Sequence, residues 1–194
     1  MVKGGILFTG SSLMEQFPVE ELAMTGGLGK ILYNRGVGGY TTDDFLRDIN
    51  TMLFDLEPGV VFMNIGTNDI QTREDGEDWL KHLVRNYDEI LRQCAERGLC
   101  SKIYLMAYYP VNDSVAKEKG LDLGIRTNEN IERANQEIRA LADKYSCQYI
   151  DVNDGLRDET GKLKKELTVE GIHMYTSAYE VIYRNLLPYL EAET

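Results

Sequence analysis

Four short stretches carry side chains able to share one piece of chemistry. Gly10-Ser11-Ser12-Leu13 sets a hydroxyl just after an apolar run, Ile6 to Thr9. Gly38-Gly39-Tyr40 sits in a loop whose glycines permit close backbone approach and leave N–H groups free. Gly66-Thr67-Asn68-Asp69 offers a side-chain amide, and Glu170-Gly171-Ile172-His173 offers an imidazole with a carboxylate three residues before it. A hydroxyl is a weak nucleophile and needs a neighbouring base. Imidazole suits that task near neutral pH, and a carboxylate fixes its tautomer and stabilises the cation that forms. Amide and backbone donors hold the oxyanion of a tetrahedral intermediate. The combination is that of acyl transfer. Ser12 by itself fits equally well as a loop serine capping the next helix. Its weight as a nucleophile comes from the other three stretches.

Those stretches meet only if the elements between them fold to one edge. Short apolar runs alternate with amphipathic segments along the chain, the pattern of a parallel sheet covered by helices. Strands are predicted at about 5–9, 30–34, 60–65, 103–109 and 148–152. Helical spacing is seen in Phe45, Leu46, Ile49, Met52, Leu53 and Leu56, which predicts one helix entered near Thr42. It recurs in Leu80, Leu83, Tyr87, Ile90, Leu91 and Cys94, with Thr72 as cap and Gly98 as stop. Further helices are expected before Tyr145 and over 176–190, and a short irregular one over 14–24. Residues 111–126 lack periodicity and predict a substrate-facing loop. The whole, residues 1–194 as one domain, predicts a three-layer α/β/α sandwich with a five-stranded parallel sheet of flavodoxin-like order 2-1-3-4-5. In such sheets ligands bind beyond the carboxyl ends of the strands, and all four stretches follow predicted strands or precede the last helix.

The four stretches, in this order, resemble the four blocks of the SGNH (GDSL-like) esterase/lipase superfamily, over nearly the whole chain. Gly66-Thr67-Asn68-Asp69 is the most specific of them. The resemblance implies Ser12 as nucleophile, His173 as general base, and an oxyanion hole from the Ser12 N–H, the Gly39 N–H and the Asn68 side chain. Two positions depart from the family pattern. Ser11 stands where aspartate is usual, which changes charge but removes no catalytic group. Glu170 stands where aspartate usually precedes the histidine, so its longer side chain must fold back to reach Nδ1. The alternative is a solvated Glu170, with a backbone carbonyl or water orienting His173. The resemblance further implies an esterase with no cofactor and no metal. The expected substrate is a small-molecule ester with a short acyl group, acetyl above all, on a carbohydrate or other polar alcohol. Longer-chain lysophospholipase or thioesterase activity is the alternative within the class. A non-catalytic flavodoxin-like binding module is the alternative outside it.

Composition narrows the partners. Formal net charge is -11 and the sequence pI is about 4.7, which argues against nucleic acid or an anionic membrane surface. Cys94, Cys100 and Cys147 form an odd set without metal-ligand spacing, as expected of reduced thiols in a cytoplasmic protein. Met1 leads directly toward the first strand with no secretory apolar core, and no run is long enough to span a bilayer. Asp151 and Asp154 are too weak a pair to predict a metal site. Tyr40, Tyr108 and Tyr109 are candidate pocket walls, Tyr40 and Tyr109 foremost. Asp69 is expected to orient the oxyanion loop and Arg35 to serve structure or substrate equally. Trp79 is expected to pack at a helix start, and His82, beside Lys81, to face solvent. Oligomeric state is not legible in the sequence.

Overall fold

The first strand, β1 (Ile6–Gly10), is buried along its whole length because helices cover both of its faces. The computed structural model describes residues 3–192; Met1 and Val2, expected ahead of this strand, lie outside the described residues. After β1 come α1 (Ser12–Glu15), α2 (Val19–Thr25), β2 (Leu32–Gly36), α3 (Thr42–Arg47), α4 (Ile49–Met52) and β3 (Val60–Asn64). Then follow α5 (Trp79–Glu96), β4 (Ile103–Met106), α6 (Asp113–Glu118), α7 (Asn128–Tyr145), β5 (Gln148–Ile150) and α8 (Thr176–Ala192). All pairings are parallel, in the order β2-β1-β3-β4-β5, as the alternation of elements predicts.

The pleat sorts the core into two halves. Leu7, Val61, Met63 and Leu105 point to the side of Phe45, Tyr87 and Ile138, which come from α3, α5 and α7. Ile6, Phe8, Phe62 and Tyr104 point to the side of Leu13, Phe17, Tyr179 and Ile182. On that second face, Phe8, Phe62 and Tyr104 stack across three strands with centroids 4.9 Å and 4.6 Å apart. Each such pair stabilises by about 0.5–1.5 kcal/mol beyond its buried area, so the stack helps fix the register that aligns the strand ends.

Several boundaries differ from the sequence expectation, each for a local reason. The helix expected after Thr42 is divided at Asp48, whose carboxylate is drawn to the Tyr40 hydroxyl and the Arg47 guanidinium. Helix α5 begins at Trp79 because Asp78, not Thr72, accepts the N–H groups of Leu80 and Lys81. The segment 111–126 is not all loop: Asn112 caps α6 by accepting the Val115 N–H at 3.1 Å.

At the carboxyl ends of β1 and β2 the backbones touch. A Cβ at Gly10 would stand 2.1 Å from the Asn64 carbonyl oxygen, and one at Gly36 would stand 2.1 Å from the Glu15 nitrogen. Gly36→Ala is therefore expected to lower the unfolding free energy by about 1–3 kcal/mol. Thermal melting checks this, at about 2–4 °C per kcal/mol for a chain of this size. An unchanged melting temperature would contradict the backbone contact.

Candidate active site

Ser12 is the first residue of α1, immediately beyond β1. Its hydroxyl does not cap the helix. Ser11 holds the cap position, and its side chain makes no capping bond. As a first-turn residue, Ser12 has a backbone N–H with no partner within the helix.

The imidazole comes from a pinned turn. Thr168 and Met174 form an antiparallel bridge, and the Val169 N–H donates to the His173 carbonyl at 2.9 Å. Thr168 Oγ1 donates to that same carbonyl and accepts the Gly171 N–H, both at 2.8 Å. Gly171 has φ +98°, and a Cβ there would stand 2.4 Å from the Asn112 carbonyl oxygen. Only glycine fits this position without strain. Glu170 folds back inside the turn: its Oε1 accepts the His173 backbone N–H at 3.0 Å and lies 2.5 Å from Nδ1. The extra methylene is taken up by that double contact. With the Nδ1 proton donated to Glu170, Nε2 is left to accept the Ser12 O–H, 3.0 Å away. The structure thus brings Ser12, His173 and Glu170 into one chain of contacts across 161 residues of sequence.

The donors gather beside it. Gly39, at φ +78°, and Asn68 line the same cleft as Ser12 and His173, a cleft of about 320 Å³. Asn68 Nδ2 donates one hydrogen to the Tyr40 carbonyl at 3.0 Å, which leaves its second N–H uncommitted to that loop. Asn68 Oδ1 accepts from Arg126 Nη2 at 3.3 Å. Behind this contact, the Asp69 carboxylate accepts the Thr42 N–H at 3.0 Å and the Thr42 hydroxyl. Asp69 therefore ties the Gly-rich loop to the turn that carries Asn68.

Four expectations are corrected. Tyr109 does not face a ligand: it is 1% exposed, with its hydroxyl 4.0 Å from Met14 Sδ, because it belongs to the core face of α8 and α1. Tyr40 gives its hydroxyl to Asp48 at 2.8 Å and its carbonyl to Asn68, so it braces the loop and does not line the cleft. His82 is 4% exposed rather than solvent-facing. Its Nε2 lies 2.8 Å from Asp43 and its Nδ1 3.0 Å from Glu77, because α5 turns that face toward α3. Tyr108 is also buried, donating to the Ile65 carbonyl at 2.7 Å. Sequence reasoning expected the 111–126 segment to face substrate but did not single out Arg126, which lines the cleft from the end of that segment. Its signal was faint: a cation just before Thr127, the cap of α7.

A parallel sandwich with a hydroxyl, an imidazole and a carboxylate at the carboxyl edge of its strands defines a class, the α/β carboxylic ester hydrolases. Residues 11–181 match the GDSL-like Lipase/Acylhydrolase family, and the chain belongs to that family. A Streptococcus pneumonia structure described as a candidate platelet activating factor is similar at 31% identity, with TM-score 0.84, covering 98% of this chain and 85% of that one. A lipase/acylhydrolase from Enterococcus faecalis shares the fold at 16% identity and TM-score 0.76, covering 98% and 96%. A catalytic mutant of an acetylxylan esterase from Geobacillus stearothermophilus shares it at 14% identity and TM-score 0.72, covering 98% and 95%. An N-acylneuraminate cytidylyltransferase of Escherichia coli O18:K1:H7 (strain RS218 / NMEC) is 27% identical over 153 residues, 77% of this chain and 32% of that protein. The chain thus spans about a third of the length of the curated relative it matches. Among the described residues no helix is long and apolar enough to cross a membrane.

Burial pushes the Asp69 carboxyl up to about 6, against the lowering effect of its bonds from Thr42. A raised folded value means that the folded chain holds a proton the unfolded chain releases between pH 3.8 and about 6. The associated stability is present at low pH and is lost as pH rises through about 6. Asp69→Asn keeps an acceptor for Thr42 and removes the titration. Its unfolding free energy is expected to fall less than wild type between pH 4 and 7, by up to about 3 kcal/mol. Denaturant melts across that range check it; parallel profiles would contradict the raised value.

Proposed function

We propose that the chain is a serine esterase that hydrolyses short acyl esters, acetyl above all, of a carbohydrate or another polar alcohol. In this reading His173 Nε2 takes the Ser12 proton as Oγ attacks the acyl carbonyl. Glu170 stabilises the imidazolium through Nδ1. The Ser12 N–H, the Gly39 N–H and the free N–H of Asn68 Nδ2 hold the oxyanion. The C–O bond to the alcohol breaks, and the alcohol leaves with the proton from His173. A water molecule, deprotonated by the same nitrogen, then attacks the acyl-enzyme, releases the acid and returns the proton to Ser12.

The observation that carries this reading is the run of contacts from Ser12 Oγ to His173 Nε2, 3.0 Å, and from Nδ1 to Glu170, 2.5 Å, beside two donor loops. The short acyl group is supported by the cleft. At about 320 Å³ it lies near the lower limit of small-molecule sites. Most of its lining residues are polar by type, with Leu13 and Ile172 the large apolar side chains. A long acyl chain would extend past the two large apolar side chains in that lining, Leu13 and Ile172. The polar side chains in the lining, among them Gln16, Asn68 and Arg126, also support a polar alcohol, as does the naming of the curated relative for N-acylneuraminate. Three free cysteines support the reducing, cytoplasmic setting we assign.

Ser12→Ala is expected to lower kcat for 4-nitrophenyl acetate by about 10⁴-fold or more, and Glu170→Ala by about 10²–10⁴-fold. Unchanged turnover in Glu170→Ala would remove Glu170 from the mechanism. Against a 4-nitrophenyl ester series, acetyl is expected to be turned over with higher kcat/KM than octanoyl. A strong preference for octanoyl would overturn the short-chain assignment.

A further inference from the structure

Arg126 stands out on the wall of the cleft. Its backbone is fixed just before α7: its N–H donates to the Leu123 carbonyl at 2.9 Å, and Asn130 Nδ2 holds the Ile125 carbonyl at 2.7 Å. Its guanidinium is half-buried and forms no ion pair among the described residues, and its Nε is buried with no hydrogen-bond partner. Of five N–H donors on a guanidinium, one is placed, on Asn68 Oδ1 at 3.3 Å. Burial lowers its pKa, with only the more distant Asp69 charge acting the other way. Asp69 is already committed to Thr42. By contrast, Arg47, Arg73, Arg85 and Arg92 all meet carboxylates on the surface. The cleft therefore holds a cation whose desolvation the protein leaves uncompensated.

We propose that Arg126 is a specificity residue that binds a carboxylate carried by the ester substrate. This rests on the esterase reading and names its substrate class. A guanidinium matches a carboxylate in two-point geometry, which a hydroxyl or a neutral amide does not reproduce. One negative charge suits the site better than the two of a phosphate monoester. The chain is acidic overall, and Glu15 lines the same cleft from its exposed rim, packed over Gly38. The anionic group must therefore enter on the Asn68 side. There the half-buried cation is screened less than the rim carboxylate. An anion seated there leaves Arg126 in contact with Asn68, so substrate charge and the oxyanion donor sit side by side.

Two matched ester pairs test this and separate the two places a carboxylate can sit. O-Acetyl glucuronic acid against O-acetyl glucuronamide puts the charge on the alcohol. The 4-nitrophenyl ester of succinic acid against that of succinamic acid puts it on the acyl group. In one pair, wild type is expected to favour the acid by about tenfold or more in kcat/KM, mainly through KM. Arg126→Gln, which keeps a donor for Asn68, should abolish that preference, and Arg126→Lys should restore part of it. A wild-type protein with no preference in either pair overturns the proposal. So does a preference unchanged in Arg126→Gln while both rates fall together, which would leave Arg126 only positioning Asn68. Binding needs no turnover and separates a failed subsite from a failed esterase. Glucuronate or succinate should bind Ser12→Ala by calorimetry and lose about tenfold in affinity with Arg126→Gln added. Binding without ester hydrolysis in wild type would sink the esterase reading and keep the anion site; equal binding by both proteins would sink the site.

Discussion

Three backbones close against one another where β1 leaves the sheet, and the geometry of the cleft depends on that closure. Gly10 lies against the Asn64 carbonyl and Gly36 against the first turn of α1, each with no room for a side chain. Ser12 is consequently set at a fixed height above the sheet edge, and its hydroxyl is turned to His173 instead of to its own helix. The turn that presents His173 is held just as closely, with Gly171 against Asn112 and Thr168 bonded twice within the loop. A shift of about 1 Å between such groups can cost about 10²-fold in rate. Close packing on both sides is the means by which a chain can hold distant residues to that tolerance.

Polar contacts do for the donor loops what packing does for Ser12 and His173. Asp69 grips Thr42, and Asn68 grips Tyr40, so the Gly-rich loop and the turn after β3 are bound to each other twice. Asn86 reaches the same cluster, donating to Thr42 Oγ1 and to Asp43, with His82 beside it. Thr42, Asp69, His82 and Asn86 are buried while Asp43 is exposed, and removing the Asp69 carboxylate or the Asn86 amide would leave a buried polar group without that partner, at about 1–3 kcal/mol. Preorganised donors contribute most when they need not move as charge develops. The bonds from Thr42 to the buried Asp69 carboxylate hold the loop in this way, and the same burial raises the Asp69 pKa.

The sheet order was legible because it depends on local pattern, while the gathering of Ser12, Gly39, Asn68, Glu170 and His173 was an expectation that the family resemblance implied. Apolar runs alternate with amphipathic ones, and strand ends share one edge in any doubly wound sheet. What was not legible depends on tertiary direction. Tyr109 follows β4 as a pocket residue would, but its side chain points into the packing against Met14. His82 is flanked by charge in sequence, yet the helix turns it inward toward Asp43, and only the pairing of α5 with α3 reveals that. Asp78 displaced Thr72 as a cap because a second N-cap residue lay nearer the apolar stripe. Arg126 carries no periodic or motif signal. Its meaning comes from which residues are missing around its charge, and a sequence does not record that.

The central claim is that Ser12 and His173 share a proton and that this makes Ser12 a nucleophile. Labelling with a fluorophosphonate, located by peptide mass spectrometry and timed in wild type and in His173→Ala, tests it without reference to any substrate. The account predicts one adduct, on Ser12, formed at least about 10²-fold more slowly without the imidazole. An adduct on another residue, or equal rates in the two proteins, would contradict it.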